Sequence, residues 1–332
     1  MQRCADLLRV RADDAEYRRL AAAEADFWRR PHPYDCETLG NDTREGQVDR
    51  YINERFTGDQ RVRWHDTIAR CQTFRRGIML GTTALRLEAN ILKTNPALHL
   101  TFVDLSEALL RRRSDVLGQR FPGRVATCTA DLNFIELPAD AYDLVVSAST
   151  LHHVTNLEYL AYQINRTLTA DGWFFLYDYV GERRCTPSPA KKQVFEVIYG
   201  RDLQRQPGRQ PGLVWSDDSD LSPFCAVRSP DILAAVRTQL HEVEVHTAGS
   251  LIVPLMRSRP ADQDAALSQR MSRWRIWFAR LQGRLAWRRP DMLGREFCSE
   301  LCTVGDIMSE AGLLEPGIAF AIYRKRAERA QS

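Results

Sequence analysis

The sequence has few of the features that would assign it at once to a membrane, secreted or nucleic-acid-binding class. It contains no run of about 18 apolar residues, the length that a membrane-spanning helix needs, and its opening segment MQRCADLLRVRADDAEYRRL is too charged for a secretory signal. Lysine occurs only at positions 93, 191, 192 and 325, and the formal net charge is +3, so no basic nucleic-acid-binding face is indicated. We therefore expect a cytosolic protein, a monomer or homodimer, with no membrane or nucleic-acid partner.

Cysteine is present but is not arranged in metal-binding pairs. The eight cysteines at 4, 36, 71, 128, 185, 225, 298 and 302 contain no CxxC spacing, and an intracellular chain keeps its thiols reduced. Cys298 and Cys302 come closest to a zinc motif, but the remaining ligand spacing is absent. The sequence thus predicts free thiols and no metal. With 44% hydrophobic residues it also predicts a buried core rather than a disordered chain.

Short apolar runs alternate with helical patterns between residues 76 and 180, which is typical of a parallel sheet built from βαβ units. Two later runs, EVEVH at 242–246 and IAFAIY at 318–323, predict further strands. The apolar stripe Leu157, Leu160, Ala161, Ile164 and Leu168 predicts a crossover helix. The fold class is therefore α/β, with earlier strands expected at 77–80, 98–104, 125–131, 143–149 and 173–180. The segments 1–75, 181–230 and 251–312 show no strand pattern.

Polar residues follow the predicted strands at the edge where open parallel sheets bind ligands. Gly81-Thr82-Thr83-Ala84 opens a helix, which would aim backbone N–H groups at a ligand. Asp104 ends the second strand, where a carboxylate accepts hydrogen bonds from both ribose hydroxyls, and Asp131 ends the third, where it would accept from an adenine amine. Each acid also has a structural interpretation, as a helix start for Asp104 and as a turn residue for Asp131. Their order favours an adenosine-containing cofactor.

Several segments resemble the class I S-adenosylmethionine-dependent methyltransferases. LTFVDLSEALL resembles the ribose-binding segment of that family, TADLNFIEL its adenine-binding segment, AYDLVVSASTLHHV the strand before the methyl-transfer site, and LTADGWFFLYDYVG the fifth strand. The resemblance implies a Rossmann-like sheet of seven strands with the last strand inserted antiparallel. It also implies S-adenosylmethionine as cofactor, bound by Gly81, Thr82, Asp104, Leu105, Asp131, Leu132, Ser147 and Ala148.

The same resemblance divides the chain into a core and additions. We expect an N-terminal helical lid at 1–75, the cofactor-binding core at 76–180, a lid insertion at 181–230, a core helix and strand at 231–250, a helical cap at 251–312, and a final strand and tail at 313–332. YINERFTGDQ at 51–60 and CAVRSPDIL at 225–233 resemble one bacterial subfamily that acts on small molecules.

The first loop departs from the family pattern. Where the family has GxGxG, this chain reads Gly81-Thr82-Thr83-Ala84 and keeps one glycine, which should change how the methionine half of the cofactor is held. Methyl transfer to a small molecule of secondary metabolism is the first hypothesis. The alternatives are cyclisation of the cofactor to azetidine-2-carboxylate with release of methylthioadenosine, a non-catalytic cofactor-binding scaffold, and a nicotinamide dehydrogenase. The dehydrogenase ranks last because the loop lacks pyrophosphate-binding glycines.

Candidates for the reaction site follow the fourth and fifth strands. We predict catalytic roles for His152, Tyr177 and Tyr179, although core packing is the commoner role of a strand-end tyrosine. For His152, a structural or cofactor-edge role is favoured over that of a general base. Alternation places Tyr177 and Tyr179 on one face and Asp178 on the other. Substrate or lid contacts are predicted for Tyr51, Asn53, Arg55 and Arg228, the last as a carboxylate-binding fork or a surface ion pair.

A run rich in arginine and tryptophan, RMSRWRIWFARLQGRLAWRR, lies at 270–289. Its stripe of Trp274, Trp277, Phe278 and Leu281 has helical spacing, which favours a buried lid helix over a nucleic-acid or membrane-surface segment.

Overall fold

The computed structural model describes residues 4–30, 44–204, 212–216, 218, 221–260 and 295–326. The lid helix predicted at 270–289 lies outside these residues. Among the residues described, we find no helix that combines the length and the apolar character needed to span a membrane.

A seven-stranded sheet forms the centre of the fold. With strands numbered along the chain, its spatial order is β3 (Val125–Thr129), β2 (His99–Asp104), β1 (Arg76–Leu80), β4 (Tyr142–Ala148), β5 (Leu168–Tyr179), β9 (Ile318–Arg324) and β7 (His241–Ala248). In this spatial order, the four neighbouring pairs β3–β2, β2–β1, β1–β4 and β4–β5 are parallel. Because β1 has β2 on one side and β4 on the other, the strand order reverses there, and such a switch point is where open sheets bind ligands.

Strand β9 lies between β5 and β7 and runs antiparallel to both. Phe175 pairs with Ile322 on one side of it, and Val245 pairs with Ala321 on the other. This confirms the sheet implied by the family resemblance. The largest difference from the predicted strands is in β5, which is predicted to begin at residue 173 but begins at Leu168. The extra residues are included because Leu168 pairs with Tyr142 of β4, before a shift in register that leads to the pairing of Trp173 with Leu144.

Alternation along the strands sends apolar side chains to both faces of the sheet. The face that carries Met79 packs against α2 (Arg44–Thr57), α4 (Leu85–Thr94) and α5 (Glu107–Arg120). The face that carries Ile78 packs against α6 (Leu157–Thr167) and α8 (Ile232–Gln239). Helix α6 is the predicted crossover helix, and the apolar residues of its predicted stripe are buried.

The additions to the sheet are mostly helical. They include α1 (Ala15–Arg29), α3 (Ile68–Cys71), α7 (Pro189–Gln204), α9 (Ile252–Arg257) and α10 (Arg295–Glu310), and short 3-10 turns at Cys4–Leu7, Trp64–Asp66, Leu151–His153, Arg183–Cys185 and Ser229–Asp231. A separate apolar cluster joins α7, α9 and α10 through Phe195, Leu255 and Phe297.

The additions also contain a small antiparallel sheet of β6 (Leu213–Trp215) and β8 (Ser258–Pro260). The prediction that 181–230 and 251–312 lack strands is therefore wrong. Each of these strands has only 3 residues, too few to show alternation, and each is defined by a partner far away in the sequence.

Candidate cofactor-binding site

A pocket opens at the carboxyl ends of β1, β2 and β4, at the switch point of the sheet. Among its lining residues are most of those predicted to bind the cofactor: Gly81, Thr82, Asp104, Leu105, Asp131 and Leu132. Ser147 and Ala148 are instead fully buried within β4. The next two residues, Ser149 and Thr150, line the pocket in their place, so the chain enters the pocket just after β4 ends and two residues beyond the predicted position.

Gly81 occupies a backbone conformation that favours glycine, with φ of +76°. Its N–H donates to the carbonyl of Val103 over 2.7 Å, which fixes the loop against β2. A Cβ at this position would lie 2.2 Å from Oγ1 of Thr150. The one glycine kept from the family pattern is thus required both by its conformation and by the packing of Thr150.

Asp104 turns its carboxylate toward the first loop. Oδ2 accepts hydrogen bonds from the N–H of Thr82 at 2.9 Å and from the Thr82 hydroxyl at 3.0 Å, and Oδ1 accepts from the N–H of Ser106 at 2.8 Å. Since a carboxylate has about four acceptor positions, about one remains for a ligand. Burial raises the pKa of Asp104. In this arrangement it can accept from one ribose hydroxyl, and from the second only after the Thr82 hydroxyl turns away.

The N–H groups that precede α4 are occupied by carboxylates of the chain itself. The N–H of Thr82 donates to Asp104, and that of Thr83 donates to Oε1 of Glu88 at 2.7 Å. Glu88 is fully buried and lies 2.7 Å from Nε of Arg113, which also donates to the carbonyl of Thr83. The prediction that these two N–H groups face a ligand is therefore wrong, because internal acids have taken that place.

Asp131 lies two residues beyond the end of β3 and is held by helix α1. The hydroxyl of Tyr17 donates to Oδ2 at 2.6 Å, while the backbone and side-chain N–H groups of Asn133 donate to Oδ1 at 2.9 and 3.1 Å. Burial raises the pKa of Tyr17, so its hydroxyl stays protonated and donates. Asp131 also retains about one acceptor position, as recognition of an adenine amine requires.

Helix α1 and a distant loop form the remaining wall through Glu24. This buried carboxylate accepts from the indole of Trp28 at 2.7 Å, the hydroxyl of Ser222 at 2.8 Å and the N–H of Phe224 at 2.8 Å, and it lies 2.9 Å from Nδ1 of His153. Burial raises the pKa of Glu24, but the contact with His153 and the other donors lower it to about 2. The wall is therefore negatively charged at neutral pH.

The two histidines after β4 face different partners. Nδ1 of His152 lies 2.5 Å from Oδ1 of Asp178, whose Oδ2 accepts from the N–H groups of Thr150 and Leu151. Burial lowers the pKa of His152, but Asp178 and Cys225 raise it to about 10. Burial lowers the pKa of His153. Only His153 of the pair lines the pocket, so a catalytic role for His152 remains a prediction.

The predicted strand-end tyrosines lie outside the pocket lining. Tyr177 stacks on Trp64 with ring centroids 5.0 Å apart, and the hydroxyl of Tyr179 donates to the carbonyl of Glu182 at 3.0 Å. Burial raises the pKa of Tyr179, which makes it a poor base near neutral pH. Asp178 does occupy the opposite face, as alternation requires. The structure thus gives Tyr177 a stacking contact and Tyr179 a hydrogen bond within the protein, and their catalytic roles stay predictions.

The predicted lid residues of α2 make contacts within the protein. The hydroxyl of Tyr51 donates to Asp306 of α10 and accepts from the N–H of Gly249. Arg55 pairs with Glu310 at 2.8 Å and with Asp306 at 3.3 Å. Asn53 is buried, with its amide 3.4 Å from the carbonyl of Gln60. None of the three lines the pocket; Tyr51 and Arg55 join α2 to α10.

Arg228 is buried, and its guanidinium is engaged on all sides. It forms a bidentate pair with Glu158 at 2.7 and 2.8 Å, lies 3.0 Å from Asp231 and donates to the carbonyl of Thr155. The ion-pair interpretation therefore fits better than a substrate-binding fork, but the pair is internal rather than on the surface.

Sequence reasoning missed the contributions of α1 and of the 222–224 loop. The sequence does signal α1, because Asp14 caps its first turn by accepting from the N–H of Tyr17 at 3.0 Å. It does not signal that this helix returns to the ends of β3 and β4, since that placement depends on contacts across more than a hundred residues.

Comparison with known proteins agrees with this geometry. Residues 79–174 match the family model described as "Methyltransferase domain". The chain is 35% identical over 98 residues to malonyl-[acyl-carrier protein] O-methyltransferase of Geobacter sulfurreducens, a match that covers 30% of this chain and 34% of that protein. The chain thus spans about a third of the length of that relative.

A solved structure of coclaurine N-methyltransferase, bound to N-methylheliamine and SAH, has a TM-score of 0.51 with this chain at 14% identity. The superposition covers 97% of this chain and 86% of the coclaurine N-methyltransferase chain. At this sequence identity the similarity shows the fold alone. The part of the chain that matches the family model, residues 79–174, and the sheet order described above are thus similar to those of the class I S-adenosylmethionine-dependent methyltransferases.

Proposed function

We propose that this chain binds S-adenosylmethionine in the pocket at the switch point and transfers its methyl group to a small organic molecule. The observation that carries the proposal is the pair Asp104 and Asp131. These carboxylates follow adjacent strands, line one pocket and each keep about one free acceptor position after serving their internal donors.

The donor set fits the adenosine half of the cofactor. Asp104 would hold the ribose and Asp131 the adenine amine, while Leu105 and Leu132 offer apolar surface for the base. The carboxylate of Glu24 adds negative charge to the wall, which suits a cationic ligand. When bound, the cofactor supplies a methyl carbon made electrophilic by its sulfonium. The residues of this chain then orient the cofactor, and positioning contributes much of the rate in such transfers.

An acceptor from secondary metabolism rests on the resemblance at 51–60 and 225–233, and a cytosolic location rests on composition. The Geobacter relative is named for a substrate carried on acyl-carrier protein, but it shares only its matched third with this chain. A carboxylate-bearing acceptor is therefore one class to include in a screen.

Cyclisation of the cofactor and non-catalytic binding would use the same adenosine contacts. No contact among the described residues favours either over methyl transfer. Methyl transfer, cyclisation and non-catalytic binding all predict that the cofactor binds, so the three hypotheses must be distinguished by the reaction products.

The test is to incubate the protein with methyl-deuterated S-adenosylmethionine, first alone and then with small-molecule pools, and to follow products by mass spectrometry. We expect binding by calorimetry, and S-adenosylhomocysteine that appears only when an acceptor is present and equals the deuterated methyl gained. Methylthioadenosine formed from the cofactor alone, well above the rate in buffer without protein, would overturn methyl transfer in favour of cyclisation. An absence of binding would overturn the cofactor assignment itself.

A further inference from the structure

Two histidines and a cysteine meet beside the cofactor pocket. One ring nitrogen of His152, one of His153 and Sγ of Cys225 lie within 4.8 Å of one another. The histidines belong to the turn Leu151–His153 and the cysteine to the loop before Arg228, so a fold-level contact assembles the group. Their surroundings are dry: the two histidine side chains are 12% and 16% exposed.

Each imidazole is backed by a carboxylate. Nδ1 of His152 faces Asp178 at 2.5 Å, and Nδ1 of His153 faces Glu24 at 2.9 Å. Each ring therefore has its second nitrogen, Nε2, for another partner, and His152 already makes a further side-chain hydrogen bond to Cys225. A carboxylate on the far nitrogen is the usual support of a metal-binding histidine, because it fixes the tautomer and the ring orientation and makes the ligand more basic.

The backing carboxylates are themselves held in place. Asp178 accepts from the N–H groups of Thr150 at 3.0 Å and Leu151 at 2.7 Å. Glu24 accepts from the side chain of Trp28 and the N–H of Phe224. Both supports are thus fixed by groups from outside the cluster, as a preorganised outer shell requires.

We infer that His152, His153 and Cys225 bind a Zn²⁺ ion. Two imidazoles and one thiolate are nitrogen and sulfur ligands, which suit zinc and not the oxygen-seeking Mg²⁺ or Ca²⁺. Ligand atoms around tetrahedral zinc lie about 3.5 Å apart, given bonds of about 2.0–2.3 Å. The ligand atoms are at most 4.8 Å apart here, so side-chain rotations that move them by about 1 Å would bring them to the zinc-binding distance.

Among the described residues, three supply ligands to the site. The thiol of Cys185 hydrogen-bonds to Cys225, but Cys185 does not belong to the group of mutually close ligand atoms. Three ligands leave the fourth tetrahedral position for water or another small ligand. Since His153 also lines the cofactor pocket, the ion lies at the edge of that pocket.

The alternative is a metal-free hydrogen-bond network, and metal content distinguishes the two. Protein without a histidine tag is purified, reconstituted with Zn²⁺, desalted and analysed by mass spectrometry of the elements. We expect about one zinc ion per chain, falling below about a tenth of that in His152→Ala and Cys225→Ser because three ligands are the minimum set. His99→Ala and Cys128→Ser, at exposed positions of β2 and β3, are matched controls and should keep the ion.

Two further measurements extend the test: a cobalt spectrum that the wild-type chain alone can give, and a conservative substitution of a backing carboxylate. Co²⁺ added to the wild-type chain should give a thiolate-to-cobalt charge-transfer band that is lost in Cys225→Ser. Asp178→Asn should weaken zinc affinity about 10- to 100-fold in chelator competition. A folded wild-type chain that retains under about a tenth of an ion, or a Cys225→Ser variant that retains the full ion, overturns the assignment. Neither readout involves S-adenosylmethionine, so this inference and the proposed function fail separately.

Discussion

Replacing Asp104 by asparagine tests the ribose contact without changing the size of the side chain. The wild-type carboxylate serves three internal donors, two from Thr82 and one from Ser106, and keeps about one acceptor position. Asparagine has a single oxygen with two acceptor positions. Whichever way the amide is oriented, its NH₂ group faces either the N–H of Thr82 or the N–H of Ser106, and that N–H loses its acceptor.

The expected magnitude follows from the hydrogen bonds that are lost. A hydrogen bond to a charged acceptor is worth roughly 1.5–3 kcal/mol, so affinity for S-adenosylmethionine should fall about 10- to 150-fold. The unpaired N–H should also lower the free energy of unfolding by about 1–3 kcal/mol. Both quantities should move together, because one carboxylate carries both functions.

Calorimetric titration with S-adenosylmethionine and S-adenosylhomocysteine gives the affinity, and urea unfolding gives the stability. Asp115→Asn makes the same substitution at an exposed site on α5 and should change neither. Thr82→Val removes the hydroxyl that competes for Asp104, so affinity should hold or improve. A folded Asp104→Asn protein that binds within about threefold of wild type would refute the ribose assignment.

Three further perturbations address the surrounding structure. Gly81→Ala should lower the free energy of unfolding by about 2–3 kcal/mol through its positive φ and the clash with Thr150, and adding Thr150→Ala should restore only part; full stability of the single variant in urea would contradict this. Tyr17→Phe should cost about 1–2 kcal/mol in the same assay, and an unchanged midpoint would argue that its hydroxyl contributes nothing. The hydrogen bond from Arg228 lowers the pKa of Glu158 from the ordinary value of 4.5 to about 2. The ionised carboxylate therefore stabilises the fold at any pH above about 4.5, and this stabilisation is lost as the pH falls from about 4.5 to 2. Glu158→Gln should therefore cost about 1 kcal/mol at pH 7, after allowance for solvent screening, and almost nothing near pH 2; a pH-independent difference would rule out the ion pair as the cause.

The sheet and the two strand-end acids could be predicted because their signals are local. Buried parallel strands are continuous apolar runs, and the residues after them must lie at one edge whatever the rest of the chain does. Asp104 and Asp131 therefore enter the pocket as the order of the sequence requires. The short strands β6 and β8 gave no such signal, since their pairing depends on each other.

The rest of the site could not be predicted because it depends on packing between distant segments. Glu24 meets Ser222 and Phe224 across about 200 residues, and neither partner stands in a recognisable motif. The same holds for Cys225, whose approach to His152 and His153 has no counterpart in a CxxC spacing. Thr82 is instructive: it lies where predicted, but it binds Asp104 rather than leaving it free.

The position of β9 has a consequence for how the protein is made. This strand lies inside the sheet, yet it comes from residues 318–324, well after all its neighbours. While a ribosome is still translating the segments before it, β5 presents an open edge and β7 has no partner in the sheet. Such edges pair with other chains. The nascent chain is thus exposed to aggregation until residue 324 has left the exit tunnel, and slowed translation between β7 and β9 should lower the yield of folded protein.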